Sequence, residues 1–222
     1  MLIVLEGLDG AGKSTQLKML CNYLEESGKK LKYLHFPRYD APVFGELISN
    51  FLKGEYGSND AVHPQLVALL FAEDRHAAAA QINSWLDEGY CVVLDRYVYS
   101  NIAFQTAKLP DREKALKLRE WIFDLEYNVF NIPKPDLNLF LDVPIDFVES
   151  ELHSVRSGSD RDYLDGAQDI HEADIEFQKR VRSVYRECCA TDPNFIRIDC
   201  ADPDSGRIMA PDAIFDKIKK KL

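Results

Sequence analysis

The sequence has no apolar run long enough to cross a membrane. A membrane-spanning helix needs about 20 mostly apolar residues, and no run here approaches ~18. The start of the chain also lacks the charged-then-apolar pattern of a secretory leader. We therefore expect a soluble, cytoplasmic protein with no membrane partner.

Basic residues are too few for general binding to nucleic acids. The chain has 27 lysines and arginines against 37 aspartates and glutamates, which gives a formal net charge of −10. Broad binding to a nucleic-acid backbone needs the opposite balance, so we expect no nucleic-acid partner. A small anionic nucleotide can still bind where a few basic residues converge in one cleft.

Cysteine is present, but not in a pattern that indicates a disulfide framework or a metal site. The five cysteines are an odd number without metal-type spacing, which predicts packing residues in a reducing compartment. No internal repeat and no linker rich in proline, glycine or serine divides the chain. Its 222 residues fit one domain, residues 1–222, with room for a lid.

Five short apolar runs alternate with helical patterns along the chain. Several are apolar at successive positions, as is typical of strands that helices cover on both faces. The runs are LIVLE (2–6), LKYLHF (31–36), CVVLD (91–95), LNLFLD (137–142) and FIRID (195–199). This alternation predicts an α/β protein with a five-stranded parallel sheet and helices on both of its faces.

A glycine-rich loop follows the first predicted strand. The stretch LEGLDGAGKST (5–15) fits the spacing Gly-x-x-x-x-Gly-Lys-Ser, with Lys13 and Ser14 at its end. Backbone N–H groups of such a loop cradle phosphates, the lysine reaches the outer ones, and the serine hydroxyl meets Mg²⁺. The predicted phosphate-binding residues are Gly7, Leu8, Asp9, Gly10, Ala11, Gly12, Lys13, Ser14 and Thr15. The loop therefore indicates a P-loop NTPase fold that binds a nucleoside triphosphate, and leaves the phosphoryl acceptor open.

Arginines stand just past two other predicted strands, where ligands bind in open parallel sheets. Arg38 follows the second strand, and Arg96 follows the third. An arginine at such a place can hold a phosphate by two parallel hydrogen bonds. A protein that only hydrolyses a triphosphate has less need of a second group of phosphate-binding arginines, whereas an acceptor that carries a phosphate needs one. Both arginines could instead form surface ion pairs. The polar and aromatic residues beside them are further candidates to bind a phosphate-bearing acceptor: Phe36, Tyr39, Asp95, Ser100, Asn101 and Phe104.

The predicted helix from Pro64 to Glu88 places an aromatic ring and a guanidinium one turn apart. Phe71 and Arg75 lie on the same helix face, separated by a rise of roughly 6 Å. Together they could hold a nucleotide base, with Asn101 adding an amide at its edge. Taken singly, Phe71 could be a core residue and Arg75 a solvated one.

The charged stretch from residue 154 to 169 interrupts a helical region and contains Arg156 and Arg161. Its glycines, serines and mixed charges indicate either a lid or an ordinary surface loop. Asp9 could likewise serve only as a helix cap, and Asp95 only as a structural partner.

Five motifs, in this order, resemble the thymidylate kinase family within the nucleoside monophosphate kinases. They are LEGLDGAGKST, FPRY, LFAEDR, DRYVYSNIAF and PKPDLNLFLDVP, and the resemblance extends from about residue 2 to the helix near Tyr185. It implies transfer of the γ-phosphoryl group of ATP to dTMP, with Mg²⁺ as cofactor and a homodimer as the assembly.

The resemblance also implies a role for each matching residue. Lys13, Ser14 and the loop amides would hold the phosphates of ATP, and Ser14 and Asp9 would lie near the metal. Phe71 would stack on thymine, Arg75 would meet its O4 and Asn101 its N3 edge. Arg38 and Arg96 would hold the acceptor phosphate beside Asp95. Phe104 occupies the place of a tyrosine that crowds the sugar in related enzymes.

One departure from the family pattern concerns the positive charge at the transferred group. One branch of the family carries an arginine where this chain has Gly10, and the other branch takes that charge from the lid. We therefore expect Arg161, with Arg156 as second choice, to be catalytic along with Lys13, Asp9 and Arg96. Downstream, Asp169, His171 and Glu172 match a stretch that contacts the acceptor sugar.

Two alternatives to a dTMP kinase remain open at this point. Another P-loop nucleoside or nucleotide kinase would keep the glycine loop but not the set Phe71, Arg75 and Asn101. A nucleotide-dependent switch protein would lack the second arginine cluster, and this sequence shows no guanine-reading Asn-Lys-x-Asp motif.

Overall fold

The computed structural model describes residues 1–153, 164 and 169–222. The strands are β1 Leu2–Gly7, β2 Leu31–His35, β3 Cys91–Asp95, β4 Leu137–Asp142 and β5 Phe195–Asp199. The helices are α1 Lys13–Glu26, α2 Phe44–Leu52, α3 Pro64–Asp87, α4 Val98–Thr106, α5 Arg112–Asp124, α6 Ile145–His153, α7 Ile175–Thr191 and α8 Pro211–Lys219. A π-helical turn, Leu125–Val129, continues directly from α5.

All five strands pair in one parallel sheet with the order β2-β3-β1-β4-β5. Every residue of β1, β3 and β4 is buried, whereas the edge strands β2 and β5 are partly exposed. The continuous apolar runs therefore marked strands covered on both faces, and the predicted fold class is confirmed.

Helices cover the sheet from both sides, and the chain connections that follow the two neighbouring strands at its centre run in opposite directions along the sheet. Helices α1 and α8 pack together, while α4 packs against α3, α5 and α7. The neighbouring strands β1 and β3 continue into α1 and α4 respectively. In an open parallel sheet, a point where neighbouring connections diverge forms a crevice at the carboxyl ends of the strands.

The main hydrophobic core lies between the sheet and these helices. The Phe140 ring of β4 stacks on Tyr185 of α7, with ring centroids 4.7 Å apart, and Phe195 packs beside them. A fully buried side chain of this size contributes about 1.5–3 kcal/mol. A second, smaller cluster joins α2 to α3 through Ile48, Phe51, Leu52 and Val67, and supports Phe71 from behind.

The five cysteines are free, as predicted, and three of them are buried. Among the described residues, no helix has both the length and the apolar character needed to cross a membrane.

Candidate active site

The glycine loop opens directly onto the N-terminus of α1. Gly10 and Gly12 have φ angles of +73° and +72°, a conformation that costs glycine little. Gly12 is the N-cap residue, and no side chain caps the helix there. The first N–H groups of α1 are consequently available to an anion, and the helix dipole favours a negative charge at this end.

Lys13 folds back over the loop. Its Nζ donates a hydrogen bond to the Leu8 carbonyl oxygen at 3.0 Å. Burial, together with repulsion from Arg96, lowers the pKa of Lys13 to about 8, although Asp95 and Asp9 oppose the shift. The next residues, Ser14 and Thr15, are exposed at the start of the helix. The loop thus holds a lysine whose charged form a bound triphosphate would stabilise.

Asp9 connects the glycine loop to the end of β3. One carboxylate oxygen accepts a hydrogen bond from Nη2 of Arg96 at 2.5 Å, and the other accepts one from Nε2 of Gln178 at 2.9 Å. Burial by itself would raise the pKa of Asp9, but Arg96, Lys13 and Gln178 outweigh it and hold the pKa well below its usual value. Asp9 is therefore a stable carboxylate.

A buried carboxylate beneath this pair organises the start of α4. Glu6, fully buried in β1, accepts hydrogen bonds from the backbone N–H groups of Tyr97 and Ser100 at 2.9 and 3.1 Å. It also contacts the Ser100 hydroxyl, which in turn lies 3.1 Å from Nη1 of Arg96. Arg96 donates a further bond to the Gly7 carbonyl at 2.8 Å. These contacts fix the guanidinium at the mouth of the crevice.

A cavity extends from Asp9 and Arg96 toward α3, with an empty volume of about 530 Å³ that includes space open to solvent. Eleven of the predicted site residues line it: Asp9, Phe36, Tyr39, Phe71, Arg75, Arg96, Ser100, Asn101, Phe104, Asp169 and His171. The structure therefore brings most of the predicted acceptor residues together in one cavity. Asp9, which lines this cavity, also belongs to the predicted phosphate-binding loop.

At the far end of the cavity, hydrogen bonds to Glu126 hold the side chains of Arg75 and Asn101. Nε and Nη2 of Arg75 donate to the two carboxylate oxygens of Glu126 at 2.5 and 2.7 Å. The side-chain amide of Asn101 donates to Glu126 at 3.0 Å and to the Ala68 carbonyl at 2.9 Å. Phe71 lies alongside, edge-on to Phe51 with centroids 6.4 Å apart.

The wall between the two ends is aromatic. The His171 ring lies 5.1 Å from the Phe104 ring and 5.6 Å from that of Phe51, measured between centroids. Burial, with the nearby charge of Lys108, lowers the pKa of His171 well below its usual value, so the imidazole is neutral. Asp169 accepts a hydrogen bond from the His171 backbone N–H at 2.7 Å, which holds this segment against the cavity.

Three residues predicted near the acceptor, Arg38, Asp95 and Glu172, do not line the cavity. Arg38 is turned to Asp74 of α3, to which its Nε and Nη2 atoms bond at 2.9 and 2.8 Å. Asp95 is not among the residues that line the cavity, and its buried Oδ1 atom makes no hydrogen bond to any residue that the structure describes. Glu172 is partly buried beside His171. Arg156 and Arg161 lie outside the described residues, as does nearly all of the predicted lid.

Sequence reasoning missed several residues of the site. Glu126, Gln178 and Glu6 contact the predicted residues directly, and Gln105 and Leu52 line the cavity. Glu6 had one visible signal, since it is a lone acidic residue inside the apolar run LIVLEG. Gln178 had none, because 169 residues separate it from Asp9.

The fold and the site together define a P-loop kinase. The phosphate loop lies at the end of β1, and a second cavity with an arginine at its mouth begins at the end of the adjacent β3. The phosphate loop and this cavity thus open at one crevice of the sheet, the place where ligands bind in open parallel sheets.

Comparisons with known proteins give the family. The family described as Thymidylate kinase matches residues 5–206. A thymidylate kinase of Mycobacterium tuberculosis is 36% identical over 214 residues, covering 95% of this chain and 96% of that protein. One of Plasmodium falciparum is 33% identical over 89% of this chain and 80% of its own length. The solved structure of thymidylate kinase from Candida albicans superposes with a TM-score of 0.72 at 27% identity, over 99% of this chain and 89% of that one.

The chain belongs to the thymidylate kinase family. It is accordingly a phosphotransferase that acts on dTMP, and neither another nucleotide kinase nor a switch protein is favoured.

Proposed function

We propose that the crevice between β1 and β3 carries out the transfer of the γ-phosphoryl group of ATP to the phosphate of dTMP, giving dTDP and ADP. The observation that supports this most directly is the position of Asp9. It belongs to the glycine loop, lines the acceptor cavity and contacts Arg96 at the mouth of that cavity. A donor and an acceptor bound at these two sites would both lie next to Asp9.

The donor site consists of Gly7, Leu8, Asp9, Gly10, Ala11, Gly12, Lys13, Ser14 and Thr15. The uncapped N–H groups at the start of α1 hold the phosphates. Lys13 moves from the Leu8 carbonyl to the outer phosphates, because a highly charged anion is the stronger partner.

Mg²⁺ is the proposed cofactor, with Ser14 and Asp9 as its residues. In the described part of the chain, no group of three or more histidine, cysteine or acidic side chains could hold a metal by itself. That fits Mg²⁺, which is usually bound by one or two protein oxygens together with substrate phosphates. Ser14 is exposed at the start of α1, and the Asp9 carboxylate lies in the same loop. When bound, the ion would neutralise charge on the phosphates.

The acceptor phosphate needs orientation rather than a general base, because it is already ionised. Arg96, held by Gly7, Ser100 and Asp9, is fixed to receive it. Arg38 would join after exchanging its contact with Asp74 for the phosphate. Catalysis then depends on alignment and on cancelling the charge that gathers on the transferred group.

The base and sugar occupy the rest of the cavity. Phe71 stacks on thymine, while Arg75 and Asn101 meet its polar edge. Phe36 and Tyr39 close the side next to β2, and Phe104, Asp169 and His171 surround the sugar. Ser100 supports the phosphate end through Arg96.

We further propose that residues 1–222 form one kinase domain whose segment 154–169 is a lid. Arg161, or otherwise Arg156, would enter the site when the lid closes and would exclude water as a competing acceptor. We also propose a cytoplasmic homodimer. The exposed Leu47 of α2 and Leu66 of α3 provide apolar surface for an interface, and light scattering of the purified protein would give the mass directly.

The decisive experiment is an acceptor panel assayed for ADP release from ATP, with and without Mg²⁺. We expect rapid ADP formation that depends on dTMP and on the metal. ADP release with a different monophosphate would assign another kinase specificity. Slow release independent of any acceptor would contradict the proposed transfer and favour a switch protein.

A further inference from the structure

Glu126, the second residue of the π-helical turn, contacts the residues at the base end of the cavity. Its side chain is fully buried, and its carboxylate contacts both residues that are proposed to read the base. A π-helical turn shifts the helix register by a residue and often marks a functional position. Here it directs an acidic side chain from the end of α5 toward α3 and α4.

The carboxylate fixes which edge of Arg75 is available. Nε and Nη2 are both bonded to Glu126, at 2.5 and 2.7 Å, and the guanidinium is only 2% exposed. A guanidinium is planar and donates only. Since one edge is occupied, the Nη1 side remains for a ligand, and it presents a hydrogen-bond donor to the cavity that Arg75 lines.

Glu126 also fixes the orientation of the Asn101 side chain. The Nδ2 group donates to Oε1 of Glu126 at 3.0 Å and to the Ala68 carbonyl at 2.9 Å, and both partners are acceptors. A reversed amide would place Oδ1 against two oxygens. In the observed orientation Oδ1 is buried and bonds to no residue that the structure describes, which leaves it as an acceptor for a ligand.

The base end therefore presents one donor, from Arg75, next to one acceptor, from Asn101. A 4-oxo pyrimidine such as thymine or uracil has the complementary pattern, with an acceptor at O4 and a donor at N3–H. Cytosine has the reverse pattern, with a donor at its 4-amino group and an acceptor at N3. Two donors or two acceptors facing each other in a buried site leave both groups unpaired, which is costly.

We propose that Glu126 is the positioning residue that sets this pattern and so makes the enzyme select 4-oxo over 4-amino pyrimidine monophosphates. The inference rests on the proposed base-reading roles of Arg75 and Asn101. It assigns a cause to their selectivity: Oε1 of Glu126 accepts from Nη2 of Arg75 and Nδ2 of Asn101, and Oε2 accepts from Nε of Arg75. A glutamine would supply only one of these two acceptors and would turn its NH2 group toward a donor at the other.

The test compares kcat and KM for dTMP, dUMP and dCMP in the wild-type enzyme, E126Q and E126D. E113Q, at an exposed glutamate of the neighbouring α5, is the matched control. We expect the wild type to prefer dTMP over dCMP by about 10⁴-fold in kcat/KM, as for sites that hydrogen-bond a polar group of the substrate. E126Q should reduce that preference roughly 10- to 100-fold, with a larger effect on KM for dTMP than on kcat. E126D keeps two acceptor oxygens and should retain most of the preference, and E113Q should retain all of it.

The ratio of the two kcat/KM values is the critical quantity, because it does not depend on the fraction of the sample that is folded. An E126Q enzyme with the wild-type ratio would overturn the inference and reduce Glu126 to a structural ion pair. A wild-type enzyme that uses dCMP as well as dTMP would instead refute the base-reading roles themselves. Should neither Glu126 variant fold, the wild type is assayed with N3-methyl-dTMP: rejection supports the fixed acceptor at Asn101, and use at the rate of dTMP overturns it.

Discussion

The Arg96 guanidinium and the Asp9 carboxylate are in contact at 2.5 Å, and they join the ends of two adjacent strands. Arg96 adopts a φ of +67°, which costs a residue with a Cβ roughly 1–2 kcal/mol. The strained backbone persists because the side chain is held by Gly7, Ser100 and Asp9. The guanidinium is thus pre-oriented before any acceptor arrives, which reduces the entropy lost on binding.

Replacing Lys13 with alanine should abolish phosphoryl transfer. The change removes the cation that neutralises the outer phosphates, and the loss of turnover should be at least about 10³-fold. ADP release in the presence of dTMP measures it. Lys18→Ala, at an exposed lysine of the same helix, is the control and should behave as the wild type. Comparable activity in the two variants would remove Lys13 from the mechanism.

The affinity for ATP should weaken as the pH rises through about 8. Burial lowers the pKa of Lys13 to about 8 from a usual value of 10.5, so the free enzyme loses this charge in mildly alkaline solution. A bound triphosphate stabilises the charged lysine, so kcat at saturating ATP should persist to higher pH than kcat/KM. Initial rates between roughly pH 7 and pH 10 give both quantities. A kcat/KM for ATP that does not change over this interval would contradict the assignment.

The lowered pKa of Lys13 should also make the free energy of unfolding depend on pH. Between about pH 8 and pH 10.5 the unfolded chain binds more protons at Lys13 than the folded chain does. Its contribution to the free energy of unfolding therefore increases with pH across that interval.

Arg161→Ala should lower kcat far more than it weakens dTMP binding. The proposed lid arginine would act on charge that develops during transfer, whereas the acceptor would be held by Arg96 and Phe71, which line the cavity. Arg156→Ala provides the comparison. Steady-state kinetics with dTMP as the varied substrate separate kcat from KM, and an unchanged kcat in Arg161→Ala would move the role to Arg156 or elsewhere.

Gly10→Ala should destabilise the protein more than Gly89→Ala does. Both glycines have positive φ angles, so each alanine costs roughly 1 kcal/mol in backbone strain. An added Cβ at Gly10 would also lie 3.0 Å from Cβ of Glu151 in α6, whereas nothing lies within 4 Å at Gly89. We expect the Tm of Gly10→Ala to fall by several degrees more, since 1 kcal/mol corresponds to about 2–4 °C at this size. Equal melting temperatures of the two variants would show that α6 can move away from the added Cβ without loss of stability.

The elements of the sheet could be predicted because their signal is local. Each strand was visible as an apolar run, and the predicted helix from Pro64 to Glu88 differs from α3 by one residue. The glycine loop was recognisable because its spacing is imposed by the phosphate it cradles. Phe71 and Arg75 were detectable for a similar reason, since residues four apart share a helix face.

The supporting residues could not be predicted, because their contacts join distant parts of the chain. Glu126 is 51 residues from Arg75, and Arg38 is 36 residues from the Asp74 that holds it. Nothing in the sequence distinguishes Arg38, which is paired with Asp74 away from the cavity, from Arg96, which is paired with Asp9 and lines the cavity.

By itself, then, the amino-acid order determined the parallel α/β architecture, the phosphate loop and the family, since all three depend on spacing within short segments. Only the tertiary structure decided which side chains meet: that Asp9 belongs to both sites, and that one buried carboxylate orients Arg75 and Asn101. The physical reason is that a hydrogen bond depends on distance and direction in space, which chain folding sets and local sequence does not.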